Sequence, residues 1–335
     1  MPKIDLHCHL DGSLSAHTIR ELAKNADIAL PEDLPGLMSQ ITVPQSCTSL
    51  SEYLSRFKLP IACLQSAENL FTASHNLLAD ASKENVVYME VRFAPTLSMR
   101  EKLSLDVVID SVLQGLEAGR RQFGVAYGVI LCALRNHAYE DNAQVLSAAV
   151  RYGDQGVVAL DLAGDENRFP THKYRALFKE AASKGLPFTI HAGEADGPAS
   201  VRAALSFGAK RIGHGISIKN DTDLMEFCFE NNIGIELCPV SNLQTKAAAS
   251  WEDYPLLTFL NRGLPVTVNT DNRTVSNTTL TREFGELDAY YDLDTKDLET
   301  LFRNAVNVSF SDYRHKQRLH ETFDDFKAKT QTTNW

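Results

Sequence analysis

The sequence predicts a (β/α)8 barrel carrying a helical insertion after its first strand. Three observations predict it. Eight short runs rich in Val, Ile and Leu recur along the 335 residues, helical patterns lie between them, and the glycine-rich fingerprint that often accompanies the rival doubly wound open sheet is absent. The length exceeds the usual span of one domain, but α/β barrels reach it, so residues 1–335 read as a single domain.

In chain order the runs are KIDLHCHL (3–10), VVYMEVRF (86–93), VAYGVILCA (125–133), VVALDLAG (157–164), PFTIHAGE (187–194), RIGHG (211–215), GIELCP (234–239) and PVTVNTD (265–271). Near-continuous apolar runs suit strands covered on both faces of a parallel sheet. Between them, YRALFKEAASKG (174–185) and DLMEFCFENN (223–232) carry helical spacing. Gly185 and Gly263 each stand just before a Leu-Pro pair that opens the next run, which marks a helix stop followed by a strand start.

The connection from the first run to the second is abnormally long. The insertion, roughly 12–84, contains two amphipathic stretches, 49–64 and 66–84. In the first, Leu50, Tyr53, Leu54 and Phe57 fall at i, i+3, i+4 and i+7 and share one helical face. A long connection at the C-terminal face of a barrel commonly covers the active site. That face therefore packs on the barrel, forms an apolar wall over a substrate, or does both; the expectation is a lid.

Composition narrows the function classes. With 44% apolar and 23% charged residues the chain is an ordinary globular one. A net charge of -10 with no Lys/Arg cluster argues against nucleic acid as a partner. No apolar stretch is long enough for a membrane helix, and MPKIDLHCHLDG has no signal-peptide core, so a cytoplasmic protein with a small-molecule partner is expected. The six cysteines form no CxxC pair and read as buried small hydrophobes.

The strand ends carry the chemistry. His7 and His9 lie two apart, so both imidazoles project into the barrel mouth while Leu6 and Cys8 face the helices. His191, His214 and Asp271 end the fifth, sixth and eighth expected strands. Five such groups at the face where barrel enzymes build their sites would be costly to bury without a shared partner. A divalent metal supplies one; imidazoles with a carboxylate suit Zn2+ above iron or manganese. Such an ion brings the pKa of bound water towards about 7. Asp271 can both ligate the metal and accept a proton, and His214, in GHG, can act as a base or hold the attacking oxygen. Glu194, in HAGE, is the candidate acid if burial keeps it neutral.

The ordered set HCHLDG (7–12), DLAGDE (161–166), HAGE (191–194), GHG (213–215), CPVSN (238–242) and NTD (269–271) resembles the adenosine deaminase family of metal-dependent hydrolases over nearly the whole chain. The resemblance implies one zinc ion held by His7, His9, His191 and Asp271. It implies hydrolysis of adenosine, and of 2'-deoxyadenosine, to inosine and ammonia. Glu194 would protonate purine N1, and His214 would position or deprotonate the attacking water. His9 would lie beside the substrate, the Gly164 N–H would bond N3, and Asp11 would contact the ribose. The family often has a second aspartate after NT that bonds N7; here Asn272 stands there, and its amide donates to N7 at any pH. Asp11 resembles the nucleoside branch, whereas adenine-specific relatives tend to carry Glu at this position and nucleotide-specific ones Asn. A related purine (adenine, an adenine nucleotide or aminodeoxyfutalosine) remains the alternative substrate.

Overall fold

All eight runs form parallel strands in the computed structural model, which describes residues 1–101 and 103–332. They are β1 (Lys3–His9), β2 (Val86–Phe93), β3 (Ala126–Leu134), β4 (Val157–Ala163), β5 (Thr189–Ala192), β6 (Arg211–His214), β7 (Gly234–Leu237) and β8 (Val266–Val268). Strands β1 to β4 form one sheet in sequence order and β5 to β8 another. Two bridges close them into a barrel: Leu160 with Phe188, and Cys8 with Asp271. The second bridge modifies one expectation. Strand β8 stops at Val268, and Asp271 reaches the barrel end through backbone bonds, its N–H to His7 O and the His9 N–H to its own O, each 2.7 Å.

Fifteen α-helices of the described residues wrap this barrel. Five lie in the insertion: α1 (Ala16–Asn25), α2 (Leu34–Ile41), α3 (Leu50–Leu54), α4 (Lys58–Cys63) and α5 (Ala67–Ser82). The rest are α6 (Leu105–Phe123), α7 (Tyr139–Arg151), α8 (Arg175–Ser183), α9 (Pro198–Phe207), α10 (Thr222–Glu230), α11 (Pro239–Gln244), α12 (Leu256–Asn261), α13 (Leu280–Tyr291), α14 (Thr295–Val308) and α15 (Tyr313–Thr332). Gly185 and Gly263, at φ +70° and +73°, turn the chain out of α8 and α12 as the Leu-Pro pattern predicts. None of the described helices is long and apolar enough to cross a membrane.

The main core lies between strands and helices. Cys8 is buried in it, whereas Leu6 packs with Phe302, Val306 and Phe323 of α14 and α15. That alternation points His7 and His9 inward. The amphipathic stretch 49–64 is less regular than its spacing suggests: α3 and α4 are joined by a 3-10 turn over Ser55–Phe57. Its attachment is specific. Tyr53 packs with Val43, Cys47 and Val275, and its hydroxyl lies 2.6 Å from Ser276 Oγ.

Candidate active site

A cavity of about 330 Å³ opens at the C-terminal strand ends. It is lined by His9, Asp11, Gly164, His191, Glu194, His214, Asp271 and Asn272, and by Leu50, Tyr53, Leu54 and Phe57 from the insertion. Every candidate site residue from the sequence except His7 therefore borders one space. His7 lies directly beneath, fully buried. In the insertion face, Tyr53 is buried in a small core and also borders the cavity.

Backbone strain marks the two pivotal positions. His214 and Asp271 sit at φ +64° and +57°, a region non-glycine residues rarely adopt. Gly213 is tightly packed, because a Cβ there would lie 3.1 Å from His7 Cε1 and 3.2 Å from His191 Cα. Gly12 is tighter still: a Cβ would fall 1.8 Å from Asn272 Oδ1.

Hydrogen-bond partners sort the imidazoles. His7 Nδ1 lies 2.7 Å from Glu236 Oε2, and His191 Nδ1 lies 3.0 Å from Asp161 Oδ2. A carboxylate partner keeps the proton on Nδ1 and leaves a lone pair on Nε2. Those two Nε2 atoms face each other at 3.1 Å, and His9 Nε2 lies 3.1 Å from that of His191. Asp271 Oδ1 is 3.4 Å from His7 Nε2 and 3.5 Å from His9 Nε2. Facing lone pairs repel unless a cation lies between them. Ligands about 2.0–2.1 Å from a tetrahedral ion stand roughly 3.3 Å apart, which these spacings match. The donor set thus fits a divalent metal.

His214 also falls in the cluster, since one ligand atom each from His7, His191, His214 and Asp271 lie within 4.8 Å of one another. Its tautomer assigns it differently. Asn242 Oδ1 accepts from the Cys238 N–H and the Tyr254 hydroxyl, both at 3.2 Å, so Asn242 Nδ2 donates to His214 Nδ1 at 2.9 Å. His214 then carries its proton on Nε2, which points towards Glu194 Oε2 at 3.7 Å and has no lone pair for a metal. Burial keeps this imidazole neutral, well below its ordinary pKa.

The two carboxyls of the cluster are driven apart. Burial, then the charges of Asp271 and Glu166, raise Glu194 to about 8. Asp271 is buried as well, but the His7 hydrogen bond and the surrounding imidazoles hold it well below the usual carboxylate range. The Ser241 hydroxyl donates to its Oδ2 at 2.6 Å, leaving Oδ1 for the cluster. One carboxyl that keeps its proton beside one that does not is an acid–base pair.

Around the cavity, Asp11 Oδ1 and Asn272 Oδ1 are buried without a hydrogen-bond partner among the described residues. Gly164 borders it at φ +109°, a conformation that favours glycine. Just past Asn272, Arg273 pairs with Glu84, and Asn277 is exposed.

Sequence reasoning missed the supporting groups. Asp161 and Glu236 orient His191 and His7, Ser241 and Asn242 fix Asp271 and His214, and Glu166 holds the turn bearing Glu194. A signal existed for the first two: each is a charged residue inside an apolar strand run, and such a residue needs a buried partner.

Fold and site together define a class: a parallel β/α barrel whose C-terminal strand ends gather imidazoles and a carboxylate that could hold a metal ion, beside a second buried carboxyl. Residues 2–326 match the family model described as adenosine deaminase. The chain is 41% identical to an adenosine deaminase of Clostridium botulinum, covering 98% of each chain. It is 38% identical to one of Enterococcus faecalis, covering 97% of this chain and 96% of the relative. Among solved structures, an adenine deaminase from Arthrobacter aurescens superposes with a TM-score of 0.90 at 26% identity, covering 98% of this chain and 99% of that one. The chain belongs to the adenosine deaminase family.

Proposed function

We propose that the chain is a zinc-dependent adenosine deaminase, converting adenosine and 2'-deoxyadenosine to inosine or deoxyinosine and ammonia. The observation that carries the chemistry is the buried Glu194 carboxyl 3.7 Å from His214 Nε2, at the edge of a cluster of imidazoles and a carboxylate that could hold a metal; burial raises that carboxyl to about 8. His7, His9, His191 and Asp271 would hold the ion. When bound, zinc makes water acidic enough to lose a proton near neutral pH.

The chain's own groups do the rest. Glu194 gives its proton to purine N1, which makes C6 electron-poor. The His214 Nε2–H holds the attacking water oxygen over C6. Asp271 accepts that water's proton and passes it to the departing amino group, which leaves as ammonia. The proton on the new C6 hydroxyl returns to Glu194 as the carbonyl forms. The Gly164 N–H bonds N3, and Asn272 donates to N7.

The unpartnered Asp11 Oδ1 supports a nucleoside substrate, because a ribose hydroxyl supplies the donor it lacks. Leu50, Tyr53, Leu54 and Phe57 then act as the apolar lid over the base and sugar. Six buried free thiols suit the cytoplasm in which we place the enzyme. Steady-state deamination of adenosine, adenine, AMP and N6-methyl-AMP tests the substrate. Adenosine should exceed each of the others at least tenfold in kcat/KM. At about 6 Å and an effective dielectric near 20, Asp11 repels each phosphate charge by roughly 2–3 kcal/mol. Equal rates with adenine or AMP would overturn the nucleoside reading.

A further inference from the structure

We propose that Glu166 is a positioning residue for the reaction: its carboxylate fixes the turn 193–196 and so aims the Glu194 carboxyl at the purine. The inference rests on the reading of Glu194 as proton donor. Glu166 follows β4 and is buried, 1% exposed. Its Oε1 accepts the Gly193 N–H at 2.7 Å and the Ser200 hydroxyl. Its Oε2 accepts the N–H groups of Glu194, Ala195 and Asp196 at 3.0, 2.6 and 3.2 Å.

Four successive amides aimed at one point form a nest, a concavity that binds anions. Here the protein fills the nest with its own carboxylate. A strand alternates its N–H groups between opposite sides, and Gly193 and Gly197, at φ +73° and +75°, bracket the turn that instead brings four neighbouring N–H groups onto one carboxylate. A Cβ on Gly193 would meet Ser217 Oγ at 2.4 Å, so the turn is also closely packed.

The other end of the segment is held by a cation. Arg135 Nη2 donates to the His191 carbonyl at 2.6 Å and to Thr171 Oγ1 at 2.9 Å. Thr171 Oγ1 lies 2.6 Å from Ser200 Oγ, which returns the network to Glu166. Residues 191–196 are therefore gripped at a carbonyl by Arg135 and at four amides by Glu166. These contacts leave the Glu194 side chain little freedom except at its own rotamers, and a displacement of an ångström at a reacting group can cost about 100-fold in rate.

Glu166→Gln tests this, because the amide presents an NH2 group to amides that need an acceptor. Its kcat on adenosine should fall about tenfold or more, with KM and bound metal within about twofold of wild type. Hydrogen exchange at amides 193–196 should accelerate. Glu166→Asp, which keeps the charge, should recover part of the lost kcat, and Ser200→Ala, which removes a single contact, should give a smaller loss of the same kind. Wild-type kcat in Glu166→Gln overturns the inference. So does a loss explained by missing metal or unfolded protein while Ser200→Ala is silent. A Glu194→Gln enzyme that stays active would instead remove the proton-donor reading beneath it.

Discussion

A glutamate in water is ionised at neutral pH; Glu194, raised to about 8 chiefly by burial, keeps its proton. Reaction at N1 needs the protonated form. The proton is present below about pH 8 and lost above it, so kcat should fall as pH rises through 8 to 9. Glu194→Gln keeps the shape and removes the transferable proton. Turnover should drop by about 10²–10⁴-fold while metal content and inosine affinity stay near wild type. A variant retaining more than about a tenth of wild-type kcat, or a wild-type rate that climbs steadily past pH 9, would contradict the role. At this scale the sequence shows which groups meet. HxH spacing and strand-end positions place His7, His9, His191, His214, Glu194 and Asp271 at one end of the barrel, where the structure gathers them. What they do not carry is the proton location on each imidazole. That depends on partners far along the chain, such as Asn242 for His214 and Glu236 for His7, and no local pattern encodes such a meeting.

Elements are held to one another by similar buried contacts, and Glu283 of α13 is a case with a pH signature. It accepts the Val240 N–H, in the first turn of α11, at 3.0 Å, while Oε1 has no partner among the described residues. Burial raises its carboxyl from 4.5 to about 8. The folded chain thus binds this proton more tightly than the unfolded chain. Its contribution is complete below about pH 4.5, declines as pH rises, and is lost above about 8. Glu283→Gln removes that dependence. Between pH 5 and 9 the Tm of the variant should gain several degrees relative to wild type, reflecting at most about 4 kcal/mol. A constant difference across that range would show that Glu283 is ionised throughout. The strands were legible because apolar runs on a parallel barrel are covered on both faces and tolerate little else. The break between α3 and α4 was not, because the helical spacing of Leu50, Tyr53, Leu54 and Phe57 survives the 3-10 turn. Tertiary packing against the loop after β8 decides that detail.

Across the whole molecule, the proposed metal ligands come from β1, from β5 and from the chain after β8, and so from both four-stranded sheets. Beneath them a buried charge network ties the same sheets together. Arg92 pairs with Asp161 and Glu236 at 3.0 Å each, and Arg211 pairs with Glu90 and Glu236 at 2.6 Å each. Asp161 and Glu236 are the carboxylates that orient His191 and His7, so the barrel interior and the candidate metal site form one continuous structure. An ion there would brace the fold as well as serve the reaction, and its removal should lower Tm. The direct measurement is adenosine turnover with bound metal quantified, before chelation, after it, and on readdition of zinc. Stripped protein should lose activity by roughly two orders of magnitude or more and recover it as zinc reaches one ion per chain. A fully metal-free chain that still converts adenosine to inosine at the original rate would contradict the assignment.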